Sequence, residues 1–308
     1  MSITKLTEIQ IKEVLKKYDN GQSITSLNKE YHTTKIREIL IQNNRKVPER
    51  KPKGSGGGAK SKYHFNKDYF ENIDSKDKAY FLGFIYADGF ITKPDWGQAK
   101  LGITLAEEEP IIKFKKYINS DNPIGIYTKG KNSYSEGKTE YKFALTSDKL
   151  VVDLEKIGVI ERKTLVLTFP ELREDLIPHF IRGYFDGDGS VFLHKDSRKE
   201  YCNNMYLGIN ICGTKEFLDK LLEHLSFIEN SNCIYKELRK TTNCWNLKFE
   251  SNIRSLKLYH YMYKDCDDLY LSRKKEIFEN FIKEKGSETI ITNPTDNKDY
   301  LKLCYLED

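Results

Sequence analysis

Two aspartate–glycine pairs, Asp88-Gly89 and Asp188-Gly189, sit 100 residues apart. Each closes an apolar run of helical length, YFLGFIYADGFI at 80–91 and FIRGYFDGDGSV at 180–191. Within each run small residues recur four apart: Gly83 and Ala87 in the first, Gly183 and Gly187 in the second. That spacing leaves a groove along one helical face, where a second helix backbone can approach closely. If the two copies pack through these faces, their ends coincide and Asp88 lies beside Asp188. Paired carboxylates repel each other, so a fold that brings them together is expected to bind a cation there.

The elements around the pairs repeat as well. After the first copy come alternating apolar residues at 90–93 and at Leu101, Ile103 and Leu105, then a helical stretch, EEEPIIKFKKYIN. Strands are expected near 123–129 and at 139–146, and a helix at 149–157 closes the unit. After the second copy come strands at 190–195 and 205–212, the helix KEFLDKLLEHLSF, strands near 233–240 and at 244–250, and helices at 252–263 and 271–284. Alternation of this kind buries one sheet face and leaves the other open to solvent or a ligand. Each half reads α-β-β-α-β-β-α, an α+β fold built of two pseudo-symmetric halves, 63–170 and 171–286. A tail, 287–308, follows.

The first 46 residues read differently, as a small all-α unit. Ile11, Val14, Leu15 and Tyr18 share one helical face, and Gly21 can end that helix in a left-handed cap. Ser23 can cap a second helix carrying Ile24, Leu27 and Tyr31. Thr33 or Thr34 can cap a third, with Ile36, Ile39 and Leu40 inward and Lys35, Arg37, Gln42 and Asn43 outward. The pattern resembles a helix-turn-helix of the resolvase or sigma-factor type. Residues 47–62, VPERKPKGSGGGAKSK, read as a flexible basic linker. Residues 1–62 hold 14 Lys/Arg against 6 Asp/Glu, whereas the whole 308-residue chain is only +5. A basic excess confined to one end favours a polyanion-binding appendage over a merely soluble tail.

Composition closes off other classes. No apolar run approaches the roughly 18 residues of a membrane helix. The start, MSITKLTEIQIKEVLKK, lacks a signal-peptide core, which sets the expectation of a cytoplasmic protein or one of an organelle matrix. None of the six cysteines forms a CxxC pair, so no zinc ribbon or disulfide framework is expected. GSGGGAKS at 54–61 approaches a phosphate-binding loop, but Ala59 stands where the second glycine belongs and no strand precedes it. DGDGS at 186–190 begins like a calcium loop, but Val191 occupies the glycine position.

FLGFIYADG at 81–89 and IRGYFDGDG at 181–189 resemble the nine-residue motif of the LAGLIDADG homing endonucleases, and the repeated element order resembles their half-domain. Tyr86 departs from the sixth-position acid of that motif, which Asp186 keeps, and Arg182 replaces a small second-position residue. The resemblance implies a site-specific double-strand endonuclease that acts as a monomer on a long pseudo-palindromic DNA site. It implies Mg²⁺, with Mn²⁺ able to substitute, held by Asp88 and Asp188 and by the carbonyls of Ala87 and Gly187. It also implies a basic residue near each scissile phosphate, in a loop before the last helix of each half. The shared Arg-Lys of GVIERKTLVL and LYLSRKKEIF carries that role to Lys163 and Lys274.

Each half's four strands would then form a saddle on the major groove. The outward positions are Lys100, Thr104, Tyr127, Lys129, Glu140 and Lys142 in the first half. In the second they are His194, Tyr206, Asn210, Tyr235, Glu237, Arg239, Asn246 and Lys248. Arg and Lys suit guanine and Asn suits adenine. Lys35, Arg37 and Asn43 of the appendage would face a groove, with Lys51, Lys53, Lys60 and Lys62 along phosphates. Two other classes share the fold: an RNA-binding intron maturase and a regulator without catalysis. Two intact acids weigh against the regulator, and a DNA-type appendage weighs against the maturase.

Overall fold

The structure, a computed structural model, describes residues 6–33, 35–47, 62–95, 97–130, 137–195, 205–228, 234–239 and 244–285, with backbone alone at 195, 234–239 and 285. The chain divides into two compact units, Met1–Gly57 and Gly58–Asp308. The expected linker residues Lys51, Lys53 and Lys60 and the 287–308 tail lie outside the described residues.

The first unit is three short helices, α1 (Glu8–Asp19), α2 (Ile24–Glu30) and α3 (Ile36–Gln42). Thr7 and Gln10 form a capping box at the start of α1, and the Ser23 hydroxyl accepts from the Ser26 amide at the start of α2. Gly21 (φ 93°) turns the chain out of α1, and His32 (φ 46°) turns it out of α2. Val14, Leu27, Ile36 and Leu40 form the core. One expectation is corrected. Thr33 does not cap α3; its hydroxyl accepts from the Lys35 amide (3.2 Å), and Lys35 is the N-cap, while the alternative, Thr34, lies outside the described residues. Asn43 is half-exposed at the end of α3, and its side-chain amide donates to the Ile39 carbonyl (2.8 Å).

The second unit is the pseudo-symmetric pair. The first half runs α4 (Lys76–Asp88), β1 (Gly89–Thr92), β2 (Lys100–Leu105), α5 (Glu109–Tyr117), β3 (Gly125–Thr128), β4 (Thr139–Thr146) and α6 (Asp148–Lys156). The second runs α7 (Ile177–Asp188), β5 (Gly189–Lys195), β6 (Met205–Gly213), α8 (Lys215–His224), β7 (Ile234–Arg239), β8 (Cys244–Phe249) and α9 (Asn252–Tyr263), with α10 (Ser272–Lys285) added. Each half holds one antiparallel sheet, ordered β1-β2-β4-β3 and β5-β6-β8-β7.

Strand alternation decides the layers. Ile91, Leu101, Ile103, Phe143 and Leu145 are buried on one side of the first sheet, and Val191, Leu207, Ile209, Ile211, Leu247 and Phe249 on one side of the second. The opposite faces carry Phe90, Thr92, Lys100 and Lys142 in one half and Phe192, His194 and Lys248 in the other. The motif helix α4 is buried on every side from Ala79 to Tyr86, as its nearly unbroken apolar run requires.

Candidate active site at the helix seam

α4 and α7 meet backbone to backbone. A Cβ on Gly83 would lie 2.0 Å from the Phe180 carbonyl oxygen, and one on Gly183 would lie 1.9 Å from that of Tyr80. No other residue type fits at either crossing point. One turn further on, a Cβ on Gly187 would lie 2.2 Å from the Ala87 Cβ and 3.0 Å from a carboxylate oxygen of Asp88. The four small residues read from the sequence thus line the seam, and the Asp88 carboxylate reaches across it.

Both acids are held in poor solvent. Burial raises the Asp88 carboxyl to about 6, with the Asp188 charge adding to the rise, while Lys274, Lys163 and Arg273 oppose it. Burial likewise raises Asp188, against the nearby charges of Lys163 and Lys274. Two lysines flank the pair. Lys163 is 7 % exposed and donates to the Ala87 carbonyl (3.3 Å) and to that of Gly89. Lys274 is 2 % exposed and donates to the carbonyls of Phe185 (2.6 Å), Asp186 (2.8 Å) and Gly189 (2.6 Å). Each ammonium therefore caps the last carbonyls of a motif helix, where the helix dipole favours a cation. Burial lowers Lys163, and it lowers Lys274 to about 8.

The surroundings of the lysines differ from the expected loops. Lys163 opens a single 3-10 turn, Lys163–Leu165, entered through Arg162 in the left-handed region (φ 56°). A non-glycine residue there is uncommon, and here it turns Lys163 inward. Lys274 lies in the first turn of α10, not before it. The other half helps to place it: Tyr117 donates to Asp268 (2.7 Å), Lys113 donates to the Tyr270 carbonyl (2.8 Å), and Ser272 donates to Glu109 (2.8 Å).

Two αββαββα halves are joined by motif helices whose acids meet at the seam, the arrangement that the resemblance to the LAGLIDADG half-domain implies. No protein-family model and no curated protein matches the sequence. Among solved structures, the chain is similar to the homing endonuclease I-WcaI bound to its DNA recognition sequence, at 16% identity, over 73% of this chain and 95% of that one, with a TM-score of 0.47. It is similar to the LAGLIDADG homing endonuclease I-GzeII in complex with its DNA target, at 12% identity, over 74% and 96%, with a TM-score of 0.45. It is also similar to a mutant of I-SmaMI, at 12% identity, over 75% and 99%, with a TM-score of 0.46.

The helix seam has a donor set suited to a hard divalent cation. It offers two buried carboxylates, a neighbouring carbonyl at Ala87, and a glycine, Gly187, that lets the Asp88 carboxylate come close to the facing helix. Among the described residues no group of three His, Cys, Asp or Glu side chains gathers as a metal cage. Mg²⁺ is commonly held by one or two carboxylates, with waters and phosphate oxygens completing the shell.

Other expected contact residues lie on the outer sheet faces in varied states. Lys100 is exposed beside Thr92 and Thr146. Lys142 stands 4.4 Å over the Tyr127 ring. Lys129 pairs with Glu140 (2.9 Å), and Lys248 pairs with Glu250. His194 stacks on Tyr206, and the Asn246 oxygen accepts from Cys212 (3.4 Å). Lys35 is exposed and Arg37 half-exposed on α3. Arg239 ends β7, where the backbone alone is described.

Sequence reasoning missed the residues that support the site. Arg182 is fully buried and donates to the carbonyls of Leu269 (2.7 Å) and Met262 (2.6 Å). The Asp186 carboxylate accepts from the Tyr80 hydroxyl (2.9 Å) and the Leu271 amide (2.8 Å). The Tyr86 hydroxyl donates to the Ile157 carbonyl. The signal lay in Arg182, Asp186 and Tyr86 themselves: a charged or polar side chain inside an apolar helix must find partners at depth.

Proposed function

We propose that the chain is a site-specific, metal-dependent double-strand DNA endonuclease. The observation that supports this best is the pairing of Asp88 and Asp188 across the seam between two open sheets, with a buried lysine beside each. In this reading Asp88 and Asp188, with the carbonyls of Ala87 and Gly187, hold Mg²⁺ or Mn²⁺ against the scissile phosphates. When bound, the metal supplies Lewis acidity to the phosphodiester and to the attacking water. Lys163 and Lys274 keep the motif helix ends rigid and place a positive charge beside each strand's phosphate. The sheet faces lie along the major groove and set the register by contacts to bases and phosphates.

One chain carries both halves, so it works as a monomer on a pseudo-palindromic site. Residues 1–46 add DNA contacts beside the cut. A randomised duplex library incubated with Mg²⁺, followed by sequencing of cut ends, tests the reading: one recurrent cut site is expected, and an uncut library rejects it. A chain lacking residues 1–62 should cut at the same position with a shorter footprint.

A further inference from the structure

We infer that Phe90 and Phe192 read the 5-methyl groups of thymines in the major groove, one in each half of the bound duplex and at unequal distances from the cut. The inference rests on the reading of the outer sheet faces as a duplex-binding surface.

The two phenylalanines share a construction. Phe90 pairs across β1 and β2 with Gly102, and Phe192 pairs across β5 and β6 with Gly208. A Cβ on Gly102 would lie 2.3 Å from the tip of the Phe90 ring, and one on Gly208 would lie 2.5 Å from the Phe192 ring. Each ring therefore lies across its neighbouring strand, in space that only a glycine leaves free. Phe90 is nonetheless 49 % exposed, and Phe192 is only partly covered.

An aromatic ring can shield a strand glycine for purely structural reasons. Its surroundings point further. Thr92, Lys100, Thr104 and Lys142 share the face with Phe90, and Lys248 stands 5.2 Å over the Phe192 ring. Lys100 and Lys142 around a fixed apolar centre in one half, and Lys248, paired with Glu250, over the ring in the other, suit a polyanion that offers an apolar group. Phenylalanine has no donor or acceptor and cannot read a hydrogen-bond pattern. In the major groove the apolar group on a base edge is the thymine C5-methyl, and phenylalanine is a known type of partner for it.

The two rings are not in equivalent places. Both strands begin at the seam, with Gly89 opposite Ile103 and Gly189 opposite Ile211. Phe90 is the first residue after Gly89, whereas Phe192 is the third after Gly189. A strand advances about 6.6 Å over two residues, which matches about two base-pair steps. The methyl read by Phe192 therefore lies about two base pairs further from the cut than the one read by Phe90.

The test uses binding by the full chain in Ca²⁺, so it does not depend on cutting. Duplexes are enriched from a randomised library, and each thymine of the preferred site is replaced singly by deoxyuridine, which removes only the methyl. One position in each half should weaken about fourfold, the value of one buried methyl-sized group. Phe90→Ala should erase that sensitivity in one half and Phe192→Ala in the other. Equal binding of every thymine and deoxyuridine duplex by the wild-type chain overturns the inference, and so does a sensitivity that survives both substitutions. Methyl-selective binding without cutting in Mg²⁺ would keep this inference and reject the endonuclease. Site-specific cutting without methyl selectivity would do the reverse.

Discussion

Tyr86 and Asp186 stand at the same place in the two motif helices and fasten opposite poles of the backbone. Tyr86 donates to the Ile157 carbonyl, six residues before Lys163. Asp186 accepts from the Leu271 amide, three residues before Lys274. Each half thus ties the segment carrying its lysine back to its own motif helix. One half does so with a neutral donor. The other uses a carboxylate raised to about 6 by burial and held by Lys274, Tyr80 and Leu271.

Asp186→Leu should lower the stability of the Gly58–Asp308 unit by about 3 kcal/mol, because the Leu271 amide and the Tyr80 hydroxyl lose their acceptor at depth. Asp186→Asn keeps an acceptor and should lose less than half of that. Denaturant titration of the two variants decides the order.

Asp88→Asn or Asp188→Asn should lower double-strand cleavage by more than about a hundredfold while leaving duplex binding intact, since a metal ligand is lost and not a DNA contact. Cleavage in Mg²⁺ and binding in Ca²⁺ are the paired measurements. Full activity of the doubly substituted chain would reject the proposed chemistry.

Gly183→Ala places a methyl 1.9 Å from the Tyr80 carbonyl oxygen. The helices must separate, at a cost of about 2–3 kcal/mol, read as a Tm lower by about 6 °C. Cleavage should fall further than this loss of stability explains, because the carboxylates move apart as well.

Lys163→Met and Lys274→Met should each impair one strand more than the other, since each half supplies one lysine. A supercoiled plasmid bearing the site should accumulate as the nicked circle. Equal slowing of both strands would show that the lysines act on the seam as a whole.

His179 gives a pH signature in stability. It is 4 % exposed, and its Nδ1 lies 3.0 Å from the Arg182 guanidinium. Burial, then Arg182 and Lys76, lower its pKa to about 4 against the pull of Asp265 and Asp267. The unfolded chain binds this proton near pH 6.5 and the folded chain does not, so stability falls as pH drops between about 6.5 and 4. The wild type should lose about 1.4 kcal/mol from this group between neutral pH and pH 5.5. His179→Gln should lack that component, which urea titrations at the two pH values would show.

Much of this architecture was legible because its signals were local or periodic. Alternation at Tyr141, Phe143 and Leu145 and at Leu207, Ile209 and Ile211 marked strands close to their observed bounds. The four-residue spacing of Gly83 with Ala87 and of Gly183 with Gly187 marked the seam. What escaped was set by contacts between distant segments. Nothing in the sequence around Arg182 names Met262 and Leu269 as its partners, and nothing around Lys163 foretells its burial against Ala87. The bond from the Asn43 amide to the Ile39 carbonyl escaped for a related reason: a side chain one turn from a helix carbonyl has more than one partner within reach.

The glycine crossing between α4 and α7 also bears on how such a chain can change. At the crossing point itself main chain meets main chain, so that point has little side-chain identity of its own. Any half that presents a glycine at the crossing and a small residue beside its acid meets the same mechanical standard. The outer sheet faces can then be rewritten without refitting the crossing, whereas exchanging a whole half must also restore the side-chain bonds between the halves, Tyr80 to Asp186, Tyr117 to Asp268 and Ser272 to Glu109. A single added methyl at the crossing would remove that tolerance, because it meets backbone and not a side chain that can move.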